Sequence, residues 1–554
     1  MTVLGCVALV AAASAARAAS SAPKPNFVML LADDWGWGDY YADVGGTGVE
    51  PNHTPNLNRM AARGTLFVDF HVANPVCSPS RTGFMTGRGP SQFRIDTALN
   101  HNWTVNQQQG QSNFLPTETP TVTSILQKAG YATGHFGKWH LGSGAGVDPI
   151  SNVTSAPVPT EYGIDESCTF NSNDPCLADA MTANSSTMII DSSIDFIARQ
   201  ATSGRPFYAN VWLHVSHDLL DPSAAQKAAC VANSPLCACD HMATNQTTCV
   251  QQIFLAAQQD ADVQIGRLLG ALATLDLAES TLVIFTTDNG PEERYVYQNA
   301  GGSAGPFRGR KRSLYEGGHR VPFIAQWGGG TPKPTVAASV VDNTLLGAVD
   351  WLPTVLALAG VPLPPALGAA LDGVDMSHVF LRGRAPGPAA GTAAGPTAVA
   401  PIARPSTRPY LFWEWRFPVA GTCDNAPPPL AVRSGHYKLL RDIEDGGRVE
   451  LYDLSLFNET FEAAAATRSA AAPVAPPPDF HEDRNLALEP GAPYVAVVER
   501  LSAALMEWYA KQPKTTFQSS PSCGQFAYPG ALGGAFSDAH ALGDFVPEDS
   551  QPDW

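Results

Sequence analysis

Two seven-residue runs, Asn26-Phe-Val-Met-Leu-Leu-Ala32 and Thr281-Leu-Val-Ile-Phe-Thr-Thr287, constrain the fold more than any other feature of the chain. Neither alternates apolar with polar residues, so each reads as a strand buried on both faces, the condition of a parallel sheet covered by helices. Each stops at polar ligands: Asp33-Asp34 after the first, Asp288-Asn289-Gly290 after the second. In open α/β sheets the functional groups collect at the carboxyl ends of the strands. A third run, Phe207 to Leu213, leads to His214 and His217. Helical periodicity lies between these runs, at Thr121 to Ala129, Ser185 to Arg199 and Phe254 to Leu275, and a further helix is read at Leu345 to Leu358. The expectation is a large α/β domain over residues 24–382, with a mixed, mostly parallel sheet sandwiched by helices.

The rest of the chain reads differently. Residues 383–409, rich in Ala, Pro, Gly and Thr, form a low-complexity linker or insertion with too few large apolar residues for a core. Residues 410–554 carry short strand signals at Ala431-Val-Arg433, Tyr437-Lys-Leu-Leu440 and Glu450-Leu-Tyr452 and a helix from Tyr494 to Lys511. They suggest a smaller antiparallel sheet with a packed helix, interrupted by an Ala/Pro-rich loop at Ala463 to Pro478. Residues 1–20 combine an apolar stretch with small residues at Ala16-Arg17-Ala18, the pattern of a secretory signal peptide. No later segment has the length and lack of charge of a membrane span, so no membrane association is expected after signal removal.

Ten cysteines are present; setting aside Cys6 in the signal and Cys77, discussed below, leaves eight. An even number suits disulfides in an oxidising compartment. Cys168 with Cys176 and Cys423 with Cys523 are plausible pairs, while Cys230, Cys237, Cys239 and Cys249 cluster without the paired C-x-x-C pattern usual for zinc. Glycosylation sequons begin at Asn52, Asn102, Asn152, Asn184, Asn245 and Asn458. Together these features predict a secreted or luminal glycoprotein.

A net charge of -17 argues against nucleic-acid or anionic-membrane partners. An anion site on such a chain must be locally basic, with Arg81, Lys138, His140 and the run Arg308, Arg310, Lys311, Arg312 as candidates. Asp33, Asp34, Asp288 and Asn289 offer only oxygen ligands, the preference of a hard cation such as Ca²⁺.

Three motifs give these residues a context. Cys77-Ser-Pro-Ser-Arg81 reads C-x-P-S-R and is followed by Met85-Thr-Gly-Arg88; Gly137-Lys-Trp-His-Leu-Gly142 and Gly309-Arg-Lys311 through Glu316-Gly-Gly-His-Arg-Val-Pro322 complete the set. The chain resembles the formylglycine-dependent (type I) sulfatases. The flanks Trp35-Gly-Trp-Gly-Asp39, Thr54-Pro-Asn-Leu57 and Ala73-Asn-Pro-Val-Cys77 look most like the arylsulfatase A and N-acetylgalactosamine-6-sulfatase group.

The resemblance implies an alkaline-phosphatase-like sulfatase fold and hydrolysis of carbohydrate or aryl sulfate esters. It implies that a formylglycine-generating enzyme converts Cys77 to an aldehyde, whose hydrate attacks sulfur. The second hydroxyl of the hydrate then expels sulfate, a step an ordinary Ser could not perform. By the same resemblance, Asp33, Asp34, Asp288, Asn289 and residue 77 hold one Ca²⁺, and Lys138 and Lys311 bind the sulfate. Arg81 orients the nucleophile, and His140 takes the proton when sulfate is expelled. The acid for the leaving oxygen, which also contacts substrate, is His217, with His214 as the alternative, because the usual His-Pro spacing is altered here. The neighbouring Arg308, Arg310 and Arg312 read as solvated surface. Substrate choice is expected in the loops Asn100 to Phe114, Ser143 to Cys176 and Asp218 to Cys249. Two other readings share these residues: a related phosphate or phosphonate ester hydrolase, and a catalytically silent binder of sulfated glycans that retains an unmodified Cys77.

Overall fold

The computed structural model describes residues 24–40, 53–149, 151–176, 184–217, 220–234, 237, 250–292, 301–328, 340–381, 409–417, 426–455, 482–489 and 492–513. The signal peptide, almost all of the 383–409 linker, the Ala463 to Pro478 loop, Cys239, Cys249, Cys423, Cys523 and the sequons at Asn52, Asn245 and Asn458 lie outside the described residues.

The first apolar run forms strand β1 (Asn26–Ala32), buried along its whole length. Its alternate side chains go to opposite cores: Val28, Leu30 and Ala32 to one, Phe27, Met29 and Leu31 to the other. Two-sided burial explains the missing alternation, and each large apolar side chain so buried contributes about 1.5–3 kcal/mol. Further strands follow in chain order: β2 (Thr65–Phe67), β3 (Phe70–His71), β4 (Ala132–Lys138), β5 (Glu166–Phe170), β6 (Phe207–Trp212), β7 (Thr281–Thr287), β8 (Phe323–Trp327), β9 (Val340–Asp342) and β10 (Leu346–Gly347). Eight of them make one sheet in the order β5-β4-β6-β1-β7-β8-β2-β9. From β5 to β7 every pairing is parallel; β8 is antiparallel to both of its neighbours. A separate two-stranded ladder pairs β3 with β10.

Helices cover both faces. Two of them bury Phe84, Met85 and Leu126 on the Phe27 side: α1 (Cys77–Thr86) and α2 (Val122–Lys128). The long α3 (Ser185–Ser203) and α4 (Val250–Thr274) pack on the Val28 side through Ile189, Phe196, Ile265 and Leu268. Helix α5 (Trp351–Leu358) returns to the Phe27 side through Leu352 and Val355. The helix read from Leu345 starts later than expected, because Leu346 and Gly347 pair with Phe70 and His71 as a strand before a 3₁₀ turn at Ala348–Asp350 leads into α5.

The C-terminal part holds an antiparallel sheet of β11 (Leu411–Glu414), β12 (Leu430–Ser434), β13 (Tyr437–Arg441) and β14 (Val449–Asp453). Alternation is visible here because its two faces have different neighbours. Leu430, Val432, Leu439 and Leu451 meet Leu501 and Leu505 of helix α6 (Ala492–Ala510). Ala431, Leu440 and Tyr452 share a cluster with Cys77, Leu314 and Tyr315 of the larger unit. Among the described residues two disulfides are present, Cys168–Cys176 and Cys230–Cys237. Among the described residues no helix is long and apolar enough to cross a membrane.

Candidate active site

The carboxyl ends of β1, β4, β6 and β7 bring the sequence-predicted residues to one edge of the sheet. Asp33 and Asp34 leave β1, Asp288 and Asn289 leave β7, Lys138 ends β4, and His214 and His217 follow β6. The three aspartates are fully buried, with ligand oxygens within 4.8 Å of one another. Asn289 Nδ2 donates to Asp34 Oδ1 at 2.6 Å, which turns its own Oδ1 away from that contact. Asp33 Oδ1 and Asn289 Oδ1 are buried without a hydrogen-bond partner. Buried carboxylate and amide oxygens without donors are costly unless a cation satisfies them, and an all-oxygen set suits a hard divalent ion. The residues therefore fit Ca²⁺.

Cations surround the same carboxylates. Lys138 Nζ lies 2.6 Å from Asp33 Oδ2, and Lys311 Nζ lies 2.8 Å from Asp34. Arg81 donates from Nε (2.9 Å) and a terminal nitrogen (2.6 Å) to Asp288 Oδ2, and also reaches Asp33 at 3.3 Å. Burial raises the Asp33 pKa, but Lys138, His217, Arg81 and Lys311 outweigh it and hold the carboxyl well below the usual range. For Asp288, burial and then the Asp33 charge prevail over Arg81, moving it up to about 7. Arg81, Lys138 and Lys311 thus set three cations against the three aspartates inside an acidic protein.

Cys77 opens α1 as a free thiol, 2% exposed. Its Sγ lies within 4.8 Å of ligand atoms of both Asp33 and His217. A helix N-terminus and nearby lysines ordinarily favour thiolate. Here burial is the largest influence and pushes the thiol up to about 11, with Lys138 and Lys311 pulling the other way. Arg81 is one turn along α1 from Cys77, on the same face. Two site residues have left-handed backbones, Asp34 (φ 61°) and His140 (φ 55°), conformations that non-glycine residues hold only where their surroundings impose them.

His140 Nε2 is 3.1 Å from the carbonyl oxygen of Leu99, while its Nδ1 has no hydrogen-bond partner. Burial, reinforced by Lys138 and Arg81, keeps this imidazole neutral, so Nε2 donates and Nδ1 carries the lone pair. His217 is brought beside Cys77 and Asp33, with its pKa lowered to about 3 by burial and then by Lys138 and Lys311. His214 stacks edge-on against Phe170 and lines a small cavity with Ser186, Gln226 and Asp260.

Comparison with known proteins bears on the same segment of the chain. Residues 25–361 match the family model described as Sulfatase. The chain belongs to the sulfatase family. It is 32% identical over 404 residues to arylsulfatase G of Rattus norvegicus, spanning 65% of this chain and 69% of that protein. Against N-acetylgalactosamine-6-sulfatase of Homo sapiens, identity is 33% over 391 residues, or 66% of this chain and 68% of that one. The sulfatase also shares its fold with the PsFucS1 sulfatase from Pseudoalteromonas sp. (TM-score 0.61, 21% identity, 91% of this chain and 95% of the other). A phosphonate monoester hydrolase from Silicibacter pomeroyi has the same fold at TM-score 0.54 and 17% identity, covering 88% of this chain and 96% of the other. This sulfatase is a sulfuric ester hydrolase that acts on a sulfated substrate.

Some of the surrounding groups escaped the sequence reading. Glu292 lies 3.4 Å from Lys311 Nζ and also pairs with Arg312. His135, inside β4, approaches the carbonyl of Lys138 at 3.2 Å, and that carbonyl also accepts from Arg81. Arg308, Arg310 and Arg312 are not the solvated surface expected of them. Arg310 is buried on the carbonyl of Glu292, Arg308 lies over the Tyr315 ring at 3.8 Å, and Arg312 is bound to Glu292. A run of cations reads as surface until the chain folds carbonyls and a carboxylate around it. Of the expected specificity loops, half of Asp218 to Cys249 lies outside the described residues, whereas Trp103 and Phe114 of the first pack together with Ala156 of the second. The sequons at Asn102, Asn152 and Asn184 are all exposed.

Proposed function

We propose that this sulfatase cleaves carbohydrate or aryl sulfate esters with a formylglycine made from Cys77, using one Ca²⁺ held by Asp33, Asp34, Asp288, Asn289 and residue 77. The observation that carries this reading is the position of Cys77. It is a buried thiol set among lysines, carboxylates and His217, yet protonated at neutral pH and so a poor nucleophile as it stands. Conversion to the aldehyde supplies, in its hydrate, a hydroxyl nucleophile and a second hydroxyl for releasing sulfate. A bound divalent cation supplies Lewis acidity toward the sulfate oxygens.

The remaining chemistry belongs to side chains of this protein. Lys138 and Lys311 are ammonium groups held at two carboxylates, Asp33 and Asp34, from which they reach and orient an anionic ester. Arg81 fixes Asp288 and Asp33 with a rigid guanidinium fork and so keeps the carboxylates and the start of α1 in register. His217, beside Cys77 and Asp33, gives a proton to the departing alcohol oxygen. Its depressed pKa owes part of its fall to the two lysines, and a sulfate ester seated between them offsets their charge and moves the imidazole back toward carrying that proton. The open Nδ1 of His140 is the base for the hydroxyl of residue 77 when sulfate is expelled.

A secretory route accompanies this reading, supported by the two disulfides and the N-terminal pattern. The test is the mass of the peptide containing residue 77, from protein made in cells with formylglycine-generating machinery. Conversion appears as a loss of about 18 Da, the change from a thiol side chain to an aldehyde. A thiol that persists while a control sulfatase in the same cells is converted removes the nucleophile and leaves a binder of sulfated ligands. Faster turnover of phosphonate than sulfate monoesters by the converted protein would shift the substrate class.

A further inference from the structure

A second buried charged cluster lies where the C-terminal sheet meets the larger unit. Asp69, Glu316 and Glu482 face Arg320, Arg433 and Lys438, all buried, with His71 and His319 between them. Lys438, in β13, makes ion pairs of 2.9 Å with both Glu316 and Glu482 and lies 3.1 Å from His319 Nε2. Glu482 also accepts from the backbone N–H of Glu316 at 2.6 Å. Arg320 ties Glu316 to Asp69, and Arg433 reaches Asp69 from β12. His71, Glu316 and His319 have the composition of a metal site, but two cations, Lys438 and Arg320, already sit on its carboxylate.

What this cluster grips is a single helical turn, Glu316–His319. That turn supports the candidate active site twice. The carbonyl of Gly318 accepts from the N–H of Gly290 at 2.9 Å, directly after Asn289. The carbonyl of His319 accepts from the N–H of Val72 at 2.9 Å, on the segment that runs into Cys77. The approach at Gly290 is tight: a Cβ there would lie 1.9 Å from the carbonyl oxygen of Gly317. The C-terminal sheet holds the same segment directly, since Trp413 Nε1 donates to the carbonyl of Val72 at 2.7 Å and Asn74 Nδ2 donates to that of Glu414 at 3.0 Å.

We propose that Lys438 is a positioning residue for the active site, anchoring the Glu316–His319 turn from the C-terminal sheet and through it the loop that carries Asp288 and Asn289 and the segment that delivers residue 77. Without this ammonium, Glu316 and Glu482 are two buried carboxylates sharing one place, and the turn moves to separate them. The C-terminal sheet is then part of the catalytic apparatus although none of the nucleophile, cation-binding or sulfate-binding groups named above lies on it.

The amide protons of Gly290 and Val72 are direct reporters, and hydrogen exchange read by mass spectrometry follows them in the full-length protein. Lys438→Met is expected to speed exchange in the peptides around 286–292 and 70–78 by about tenfold or more, the response of a lost local restraint. Lys438→Arg is expected to recover much of the protection. Leu505→Ala, a cavity in the C-terminal core, is the control for general destabilisation, and it should leave those two peptides as protected as in the wild type. Calcium affinity, measured by chelator competition, should weaken about tenfold in Lys438→Met, as for loss of a group that orients metal ligands. Unchanged exchange at both peptides in Lys438→Met, or the same acceleration in Leu505→Ala, overturns the proposal. Should Lys438→Met fail to fold, Glu316→Gln removes the carboxylate by which Lys438 holds the turn, and it must accelerate the same two peptides for the proposal to stand. The calcium readout rests on the function proposed above: a wild-type protein that binds no Ca²⁺ refutes that reading, while the exchange data still decide the role of Lys438.

Discussion

Glu292 shows how a side chain can matter to an anion site without belonging to any motif. It follows Asp288-Asn289-Gly290 by two residues and is 1% exposed, with one oxygen toward Lys311 and the other toward Arg312. With Asp34, its charge holds the Lys311 ammonium, the group proposed above to bind the sulfate. Glu292→Gln keeps the shape and removes the charge. The expected result is a KM for sulfate ester raised about tenfold, roughly the 1.4 kcal/mol of one buried charged partner, with kcat little changed, measured by steady-state kinetics. An equal fall in kcat with KM unchanged would instead place Glu292 in the transition state. Nothing in the sequence marked this residue, because a lone Glu in a turn is ordinarily solvated.

Helix α1 is short and carries both Cys77 and Arg81, so its end geometry bears on the site. It terminates at Gly87, whose left-handed backbone (φ 68°) caps the last turn and whose Cβ, if added, would meet Leu371 at 2.8 Å. Gly87→Ala should cost about 1–2 kcal/mol, read as a lower Tm, with the active site otherwise intact. At this scale the sequence was legible wherever the pattern had a single cause. Strands β1 and β7 were readable to the residue, since two-sided burial demands unbroken apolar runs. Strand β4 was not, because Ala132-Thr-Gly-His-Phe-Gly-Lys138 is buried through small residues and a paired His and has no apolar run to announce it. The start of α5 was misplaced because pairing of Leu346 and Gly347 with residues some 275 positions earlier overrides local periodicity. The aspartates, Asn289 and the lysines gathered at the sheet edge were readable as motifs, whereas Glu292, His135 and Lys438 depend on contacts between distant segments.

For the molecule as a whole, buried imidazoles set a pH limit on stability. Burial lowers His53 to about 4 and His135 to about 3, against 6.5 in an unfolded chain. Between those values the unfolded state binds protons that the folded state refuses, so stability is complete above pH 6.5 and is lost as pH falls through the window, at roughly 1.4 kcal/mol per pH unit per group. His53→Leu should flatten the dependence of Tm on pH between 6.5 and about 4, measured by thermal melts. A slope equal to that of the wild type would mean that the imidazole is not neutral in the fold. Residue 77 is sealed beneath β11 and the Tyr315 segment, and β1 meets β7 only after a further 255 residues have been made. An enzyme that remodels this side chain, as in the function proposed above, must therefore reach it while the polypeptide is still open, which would make catalytic competence a matter decided during biogenesis, before the sheet closes.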